Sequence, residues 1–298
     1  MRLFEDYRAL VDERIHQLFE DDHPAIKEIS LYHISEGKRV RAVLGILVCQ
    51  TLGGSLEDAL PYALTVELLH NVSLIYDDMI DEDSSRRGKK TLHLKYGPKN
   101  ALIAANYITY KAFEVFSERV TPKALKELSR AARMTSFGEK LDIDFSRMRE
   151  EDYLEVCKAK TSHQFLVASS LGAMAVTEDE KILEKVRSFG QNFGIAFQIQ
   201  DDVLNILGKK LVVGKSIGSD VLMRRPNYVL VKAFELYGDE LYEGNVLEMV
   251  RESEAPDLAR FEAKKYIKKA KEAIGDFPDS KYKRELFKIS DFMIARDR

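Results

Sequence analysis

The sequence predicts an all-α fold in a single domain over residues 1–298. Two observations carry that prediction. Seven prolines and 16 glycines among 298 residues are too few for many tight turns. Between them the apolar residues recur with a helical period, and no alternating run or internal repeat competes.

In chain order, helices are expected over roughly 2–20 and over 38–52, the latter opening on the charged "EGKRVRA" and continuing apolar. The next carries Leu64, Leu68, Val72, Ile75 and Met79 on one face, at steps of three or four. Helices follow over 98–118 and 122–145; "TPKALKEL" offers Thr121 as N-cap and Pro122 at the first helical position. Further helices are expected over 150–176, 180–207, 221–237 and 257–296, the last broken near Pro278.

A hydrophobic content of 45% and a charged content of 32% describe an ordinary soluble globular chain. A net charge of −3 gives no sign of a nucleic-acid partner. Cys49 and Cys157 lack metal-ligand spacing and read as buried thiols in a reducing compartment. The charged N-terminus is no signal peptide, and no apolar run reaches the roughly 18 residues a membrane span needs. The expected location is cytoplasmic.

Chemistry concentrates in two places. "LIYDDMIDEDSSRRGKK" sets Asp77, Asp78, Asp81, Glu82 and Asp83 ahead of Arg86, Arg87, Lys89 and Lys90. Glu67, His70, Leu74, Asp77 and Asp81 form a second stripe on the same helix, so Asp77 and Asp81 project one turn apart in one direction. Such a pair repels, and a hard cation such as Mg²⁺ would relieve it. The alternative is a solvated acidic surface with the arginines as ion-pair partners. In "GQNFGIAFQIQDDVLN" another polar stripe, Gln191, Gln198, Asp202 and Asn205, runs into Asp201 on an otherwise apolar helix. Two acid pairs imply several cations, and several cations imply a polyanion. Basic groups suited to one are Lys38, Arg39, Arg41, Arg86, Arg87, Lys160, Lys209, Lys210 and Lys215. The glycine-rich 208–218 segment lacks the order of a P-loop.

Five separated motifs, "GKRVR", the stretch from Glu67 to Gly97, "KT" at 160–161, "FQIQDDVLN" and "GKSIGSD", resemble the trans-isoprenyl diphosphate synthases in identity, order and spacing. The resemblance implies a single bundle of long helices around a deep central cavity, a homodimer, and Mg²⁺-dependent head-to-tail joining of isopentenyl diphosphate to dimethylallyl, geranyl or farnesyl diphosphate. It implies three substrate-bridged Mg²⁺ ions on Asp77, Asp81 and Asp201, with Asp78 in support. Arg86, Lys160 and Lys215 would hold the allylic diphosphate. Lys38, Arg41, His70 and Arg87 would hold isopentenyl diphosphate. Gln198, Thr161 and the Lys160 backbone would stabilise an allylic cation.

Three positions depart from the family pattern: Asn205 replaces an aspartate, Glu139 a glutamine and Arg225 a lysine. Asn205 and Lys209 also speak against a terpene cyclase. The expected product is C20 geranylgeranyl diphosphate, because small Ser73 and Val72 lie one turn below Asp77, with the floor supplied by Tyr107, Tyr110 or Phe113. Farnesyl or longer products, or a non-catalytic subunit, are the alternatives.

Overall fold

The computed structural model describes residues 2–145, 149–208, 225–243 and 245–295. The elements are α1 (Arg2–Leu18), α2 (Pro24–Ile34), α3 (Val40–Thr51), α4 (Leu56–Ile80), strands β1 (Ser85–Arg86) and β2 (Lys89–Lys90), α5 (Leu92–Tyr96), α6 (Pro98–Ser117), α7 (Pro122–Ile143) and α8 (Glu150–Cys157). A π-helical turn (Lys158–Ser162) leads into α9 (His163–Met174), then α10 (Glu180–Leu207), α11 (Tyr228–Tyr237), a 3₁₀ turn (Gly238–Tyr242), α12 (Val246–Glu252), α13 (Ala255–Ala273) and α14 (Lys281–Ala295). The expected all-α class holds; β1 and β2 make only a two-residue antiparallel pairing, Ser85 with Lys90 and Arg86 with Lys89.

Two compact units are present. The first comprises Met1–Leu128, Val167–Val186 and Phe277–Leu286. Its longest helix, α4, starts at a capping box: Ser55 Oγ accepts the Asp58 N–H at 3.1 Å, and Asp58 Oδ2 accepts the Ser55 N–H at 3.1 Å. The apolar face read from the sequence is the buried one, with Leu64, Leu68, Val72 and Ile75 in the core and Met79 packed against it. Helix α3 is buried along nearly its whole length. It meets α9 backbone to backbone: a Cβ on Gly172 would lie 2.2 Å from the Gly45 carbonyl oxygen, so glycine is required there. Thr121 caps α7 as expected, accepting the Ala124 N–H at 3.1 Å.

The second unit comprises Ser129–Leu166, Arg187–Asp276 and Phe287–Arg298. Phe165, Phe189, Phe193 and Phe197 pack as its aromatic core, with centroids 5.2 Å apart for Phe165–Phe193 and 4.9 Å for Phe165–Phe197. Helix α11 is capped by Asn227, whose Oδ1 accepts the Val229 and Leu230 N–H groups.

The expected 150–176 helix is interrupted by the π-turn, and 225–227 are not helical, so α11 begins later than expected. Helices α2, α5 and α12 lie outside the expected set, while the break near Pro278 separates α13 from α14. Among the described residues no helix is long and apolar enough to cross a membrane. Both cysteines are free and buried.

Candidate active site

In the first unit, α4 delivers the carboxylates to its C-terminal end. Asp81 is the C-cap, its N–H donating to the Asp77 carbonyl at 2.8 Å, and both side chains are partly exposed. No basic residue occupies the last turn. Acids at the negative end of a helix dipole oppose the local field, and a bound cation reverses that penalty. Asp78 is turned away from this pair into the protein, where its Oδ1 accepts from Arg86 Nε at 2.6 Å. Arg86 also lies 3.8 Å from Asp83. It is thereby tethered beside the acids.

The next two residues make the hairpin turn. Arg87 and Gly88 have φ of +53° and +76°, the doubly left-handed signature of a type I′ turn. Burial, reinforced by the Arg39 charge, holds the Arg87 pKa down to about 10. Arg39 itself is 1% exposed, and donates to Asp12 Oδ1 at 2.7 Å, to Glu67 Oε1 at 3.1 Å and to the Ile34 carbonyl. A Cβ at Gly37 would lie 2.9 Å from Arg39 Nη1 and 3.5 Å from Arg87 Nη2, so this glycine leaves room for both guanidinium groups. One step further, Arg41 Nη1 sits 3.1 Å from His70 Nε2; a guanidinium has no acceptor, so the imidazole accepts. Lys38 is exposed at the same turn. With Arg39 already matched by Asp12 and Glu67, Lys38, Arg41 and Arg87 bring positive charge from two motifs far apart in sequence into this unit. An anion is the natural counterpart.

In the second unit the site centres on the π-turn, a geometry that recurs at functional positions. Two glycines press on it: a Cβ on Gly138 would lie 2.4 Å from the Lys160 nitrogen, and one on Gly194 2.6 Å from Ser162 Cα. Lys160 Nζ pairs with Glu139 Oε2 at 2.8 Å and with Asp142. The Lys160 carbonyl accepts from Gln164 Nε2 at 3.1 Å. Thr161 Oγ1 donates to Gln198 Oε1 at 2.8 Å, and Gln198 Nε2 donates to Asp202 Oδ1 at 2.9 Å. Asp202 Oδ2 accepts from the Tyr153 hydroxyl at 2.7 Å and the Tyr228 N–H at 2.8 Å. Asp201 is partly exposed, whereas Asn205 is buried.

A polyprenyl synthetase family model matches residues 23–269. The chain belongs to the polyprenyl synthetase family. This synthase is 32% identical to a geranylgeranyl pyrophosphate synthase of Geoglobus acetivorans, across 99% of this chain and 98% of that one. It is also 32% identical to a geranylgeranyl diphosphate synthase of Methanosarcina mazei, across 96% and 95%. A polyprenyl synthase from Caulobacter crescentus, solved with calcium and isoprenyl diphosphate, superposes with a TM-score of 0.92 at 29% identity, covering 100% of this chain and 97% of that one. A geranylgeranyl pyrophosphate synthetase from Pyrococcus horikoshii superposes with a TM-score of 0.90 at 29% identity, over 99% of both chains. The fold is that of the isoprenyl synthases, and the protein is a prenyltransferase.

Of the synthase's expected site residues, the structure brings Arg41 to His70, Thr161 to Gln198, and Asp77 within one turn of Asp81. Lys215 lies outside the described residues. Asp142 and Tyr153 join these clusters although no motif marks them; Asp142 sits one turn beyond Glu139 on α7. Among the described residues, no three metal-binding side chains converge on one point. The donors that do pair, two carboxylates one turn apart, fit Mg²⁺, which takes one or two protein carboxylates and fills its shell with water and phosphate oxygens.

Proposed function

We propose that this synthase joins isopentenyl diphosphate head to tail with an allylic diphosphate and releases mainly C20 geranylgeranyl diphosphate, with residues 1–298 acting as one catalytic domain. The observation that carries the reading is the Asp77–Asp81 pair at the end of α4, two carboxylates that would hold Mg²⁺ together with water and phosphate oxygens. Asp77, Asp81 and Asp201 would hold Mg²⁺, expected as three ions, and Lys160, Arg86 and Lys215 the allylic diphosphate. The calcium and isoprenyl diphosphate described for the Caulobacter relative support that assignment.

When bound, the metal supplies Lewis-acid stabilisation of the leaving diphosphate. The chain's own residues then divide the work. Arg86, fixed by Asp78, and Lys160, fixed by Glu139 and Asp142, direct positive charge at the leaving group without reorganising. Arg41, His70, Lys38 and Arg87 orient isopentenyl diphosphate, whose double bond attacks the allylic carbon. Thr161 and Gln198 face the developing cation with fixed dipoles. The proton leaves to the released diphosphate.

Product length follows from α4 and α6. Ser73 is partly buried with its hydroxyl donating to the His70 carbonyl at 2.8 Å, and Val72 is buried; neither is bulky. On α6, Tyr110 is 71% and Phe113 44% exposed, whereas Tyr107 packs against the core, so Tyr107 is the best-supported floor. The names of the Geoglobus and Methanosarcina relatives support C20. Exposed Leu102, Ile103, Tyr110 and Phe113 on α6 support a homodimer. The test is Mg²⁺-dependent diphosphate release from isopentenyl and allylic diphosphates, with chromatography of the dephosphorylated product. A dominant C15 peak would refute the reading of Val72 and Ser73, and no release at all would refute the condensation.

A further inference from the structure

Asp201 and Asp202 are adjacent in sequence, and the motif resemblance assigns metal to Asp201 while leaving Asp202 without a role. The structure separates them. Asp201 is partly exposed; Asp202 is 2% exposed and faces hydrogen-bond donors from three elements. Its Oδ2 accepts the Tyr228 N–H, a first-turn donor of α11 with no helical partner. The same oxygen accepts the Tyr153 hydroxyl, whose pKa burial and Asp202 raise well above the ordinary value, so it stays protonated. Its Oδ1 accepts Gln198 Nε2.

These bonds have a direction that cannot be reversed at one end. A backbone N–H donates only, and a carboxylate accepts only. The Gln198 amide must therefore turn its NH₂ toward Asp202 and its carbonyl toward Thr161. Thr161 has a single hydroxyl hydrogen and gives it to that carbonyl. The oxygen lone pairs of Thr161 are then left pointing away from Gln198, with the negative end of the hydroxyl dipole outward. The π-turn carrying Thr161 is itself packed closely against Gly138 and Gly194, which fixes the place from which the hydroxyl is presented.

We propose that Asp202 is not a metal ligand but a positioning residue, which acts through Gln198 to fix the polarity of the Thr161 hydroxyl toward the allylic cation. The inference rests on the prenyl-transfer reading above. It predicts that Asp202→Asn is not a conservative change. An asparagine side chain there can offer its own NH₂ to the Gln198 carbonyl, letting the amide invert; Thr161 then accepts from Gln198 and turns its hydrogen toward the cation.

The experiment compares wild type with Asp202→Asn, Tyr153→Phe, Thr161→Val, the Asp202→Asn/Thr161→Val double variant, and Asp201→Asn as a metal-site control. Rates are measured against each substrate and against Mg²⁺ concentration. Asp202→Asn is expected to lower kcat by about 100-fold, the scale of one misoriented preorganised dipole, with both KM values and the half-saturating Mg²⁺ concentration nearly unchanged. Asp201→Asn is expected to raise the Mg²⁺ requirement. Tyr153→Phe keeps the carboxylate and removes one of its donors, so its loss in kcat is smaller and again independent of Mg²⁺; it carries the test if Asp202→Asn does not fold. Because Asp202 acts through Thr161, the double variant is expected to lose no more than the worse single one. A raised Mg²⁺ requirement in Asp202→Asn, a kcat within twofold of wild type in both Asp202→Asn and Tyr153→Phe, or multiplicative losses in the double variant would overturn the proposal. Inactivity of the wild type itself would instead overturn the prenyl-transfer reading.

Discussion

Acidification should unfold this protein partly through one histidine that does no chemistry. His33 is buried at the end of α2, its Nε2 3.1 Å from the Asn71 carbonyl oxygen. Burial, and then the charges of Arg87 and Arg86, press its pKa from 6.5 to about 3. A base with a depressed folded pKa binds fewer protons in the folded chain than in the unfolded one throughout that interval. Stability therefore rises with pH across it: the contribution is complete above about pH 6.5 and lost on acidification towards pH 3. Integrating between pH 7 and pH 5 gives a loss of about 2 kcal/mol from this residue alone. Denaturant unfolding of wild type and His33→Gln at both pH values isolates the effect, because every other ionisable group is common to the two proteins. The drop on going from pH 7 to pH 5 should be smaller by about 2 kcal/mol in His33→Gln. Equal drops in the two proteins would show that His33 takes up its proton without resistance, and the account of its neighbours would be wrong.

Asp77→Ala and Asp81→Ala should each lower turnover by about 10²–10³ or more while leaving the far-ultraviolet circular dichroism intact; rates within a few-fold of wild type would remove the metal assignment. Arg41→Ala and His70→Ala should raise KM for isopentenyl diphosphate by about tenfold or more and leave KM for the allylic partner nearly unchanged, which initial-rate kinetics with each substrate varied will check. Ser73→Phe should move the product from C20 to C15 by chromatography, since the ring would fill the path one turn, about 6 Å, below Asp77. Glu139→Gln should lower KM for the allylic diphosphate by about threefold, because it removes one of the two carboxylates that now share Lys160; an unchanged or higher KM would mean that Glu139 is needed to aim the lysine.

Much of the architecture could be read from one-dimensional pattern. The α4 stripe of Leu64, Leu68, Val72 and Ile75 is buried as its period requires, and Thr121 with Pro122 starts α7 where local capping chemistry places it. The π-turn was not legible. Its extra residue is accommodated by Gly138 and Gly194, which are distant in sequence, and the local pattern through 150–176 remains that of a plain helix. Helix α2 is short and carries no strong apolar period, so only its packing declares it. Within the site, residue types were legible but their division of labour was not. Asp78 looks like a third metal carboxylate until Arg86 is found on it, and Arg39 looks like a phosphate ligand until its buried pairs with Asp12 and Glu67 are seen. Tertiary partners decide such roles, and sequence spacing carries no record of them.

Among the described residues, the non-glycine positions with left-handed backbone are Arg39, Glu82 and Arg87, at φ of +52°, +52° and +53°. All three belong to the charged stretches around α3 and the end of α4, and each costs of order 1–3 kcal/mol over a relaxed conformation. At Arg87 glycine would relieve the backbone and delete a charge in the same stroke, whereas at Arg39 it would also strand the buried Glu67 carboxylate. Selection for heat tolerance and selection for turnover therefore pull against each other at Arg87. A library ranked by melting temperature alone would drift toward glycine or asparagine there and arrive at a sturdier protein with a weaker hold on diphosphate.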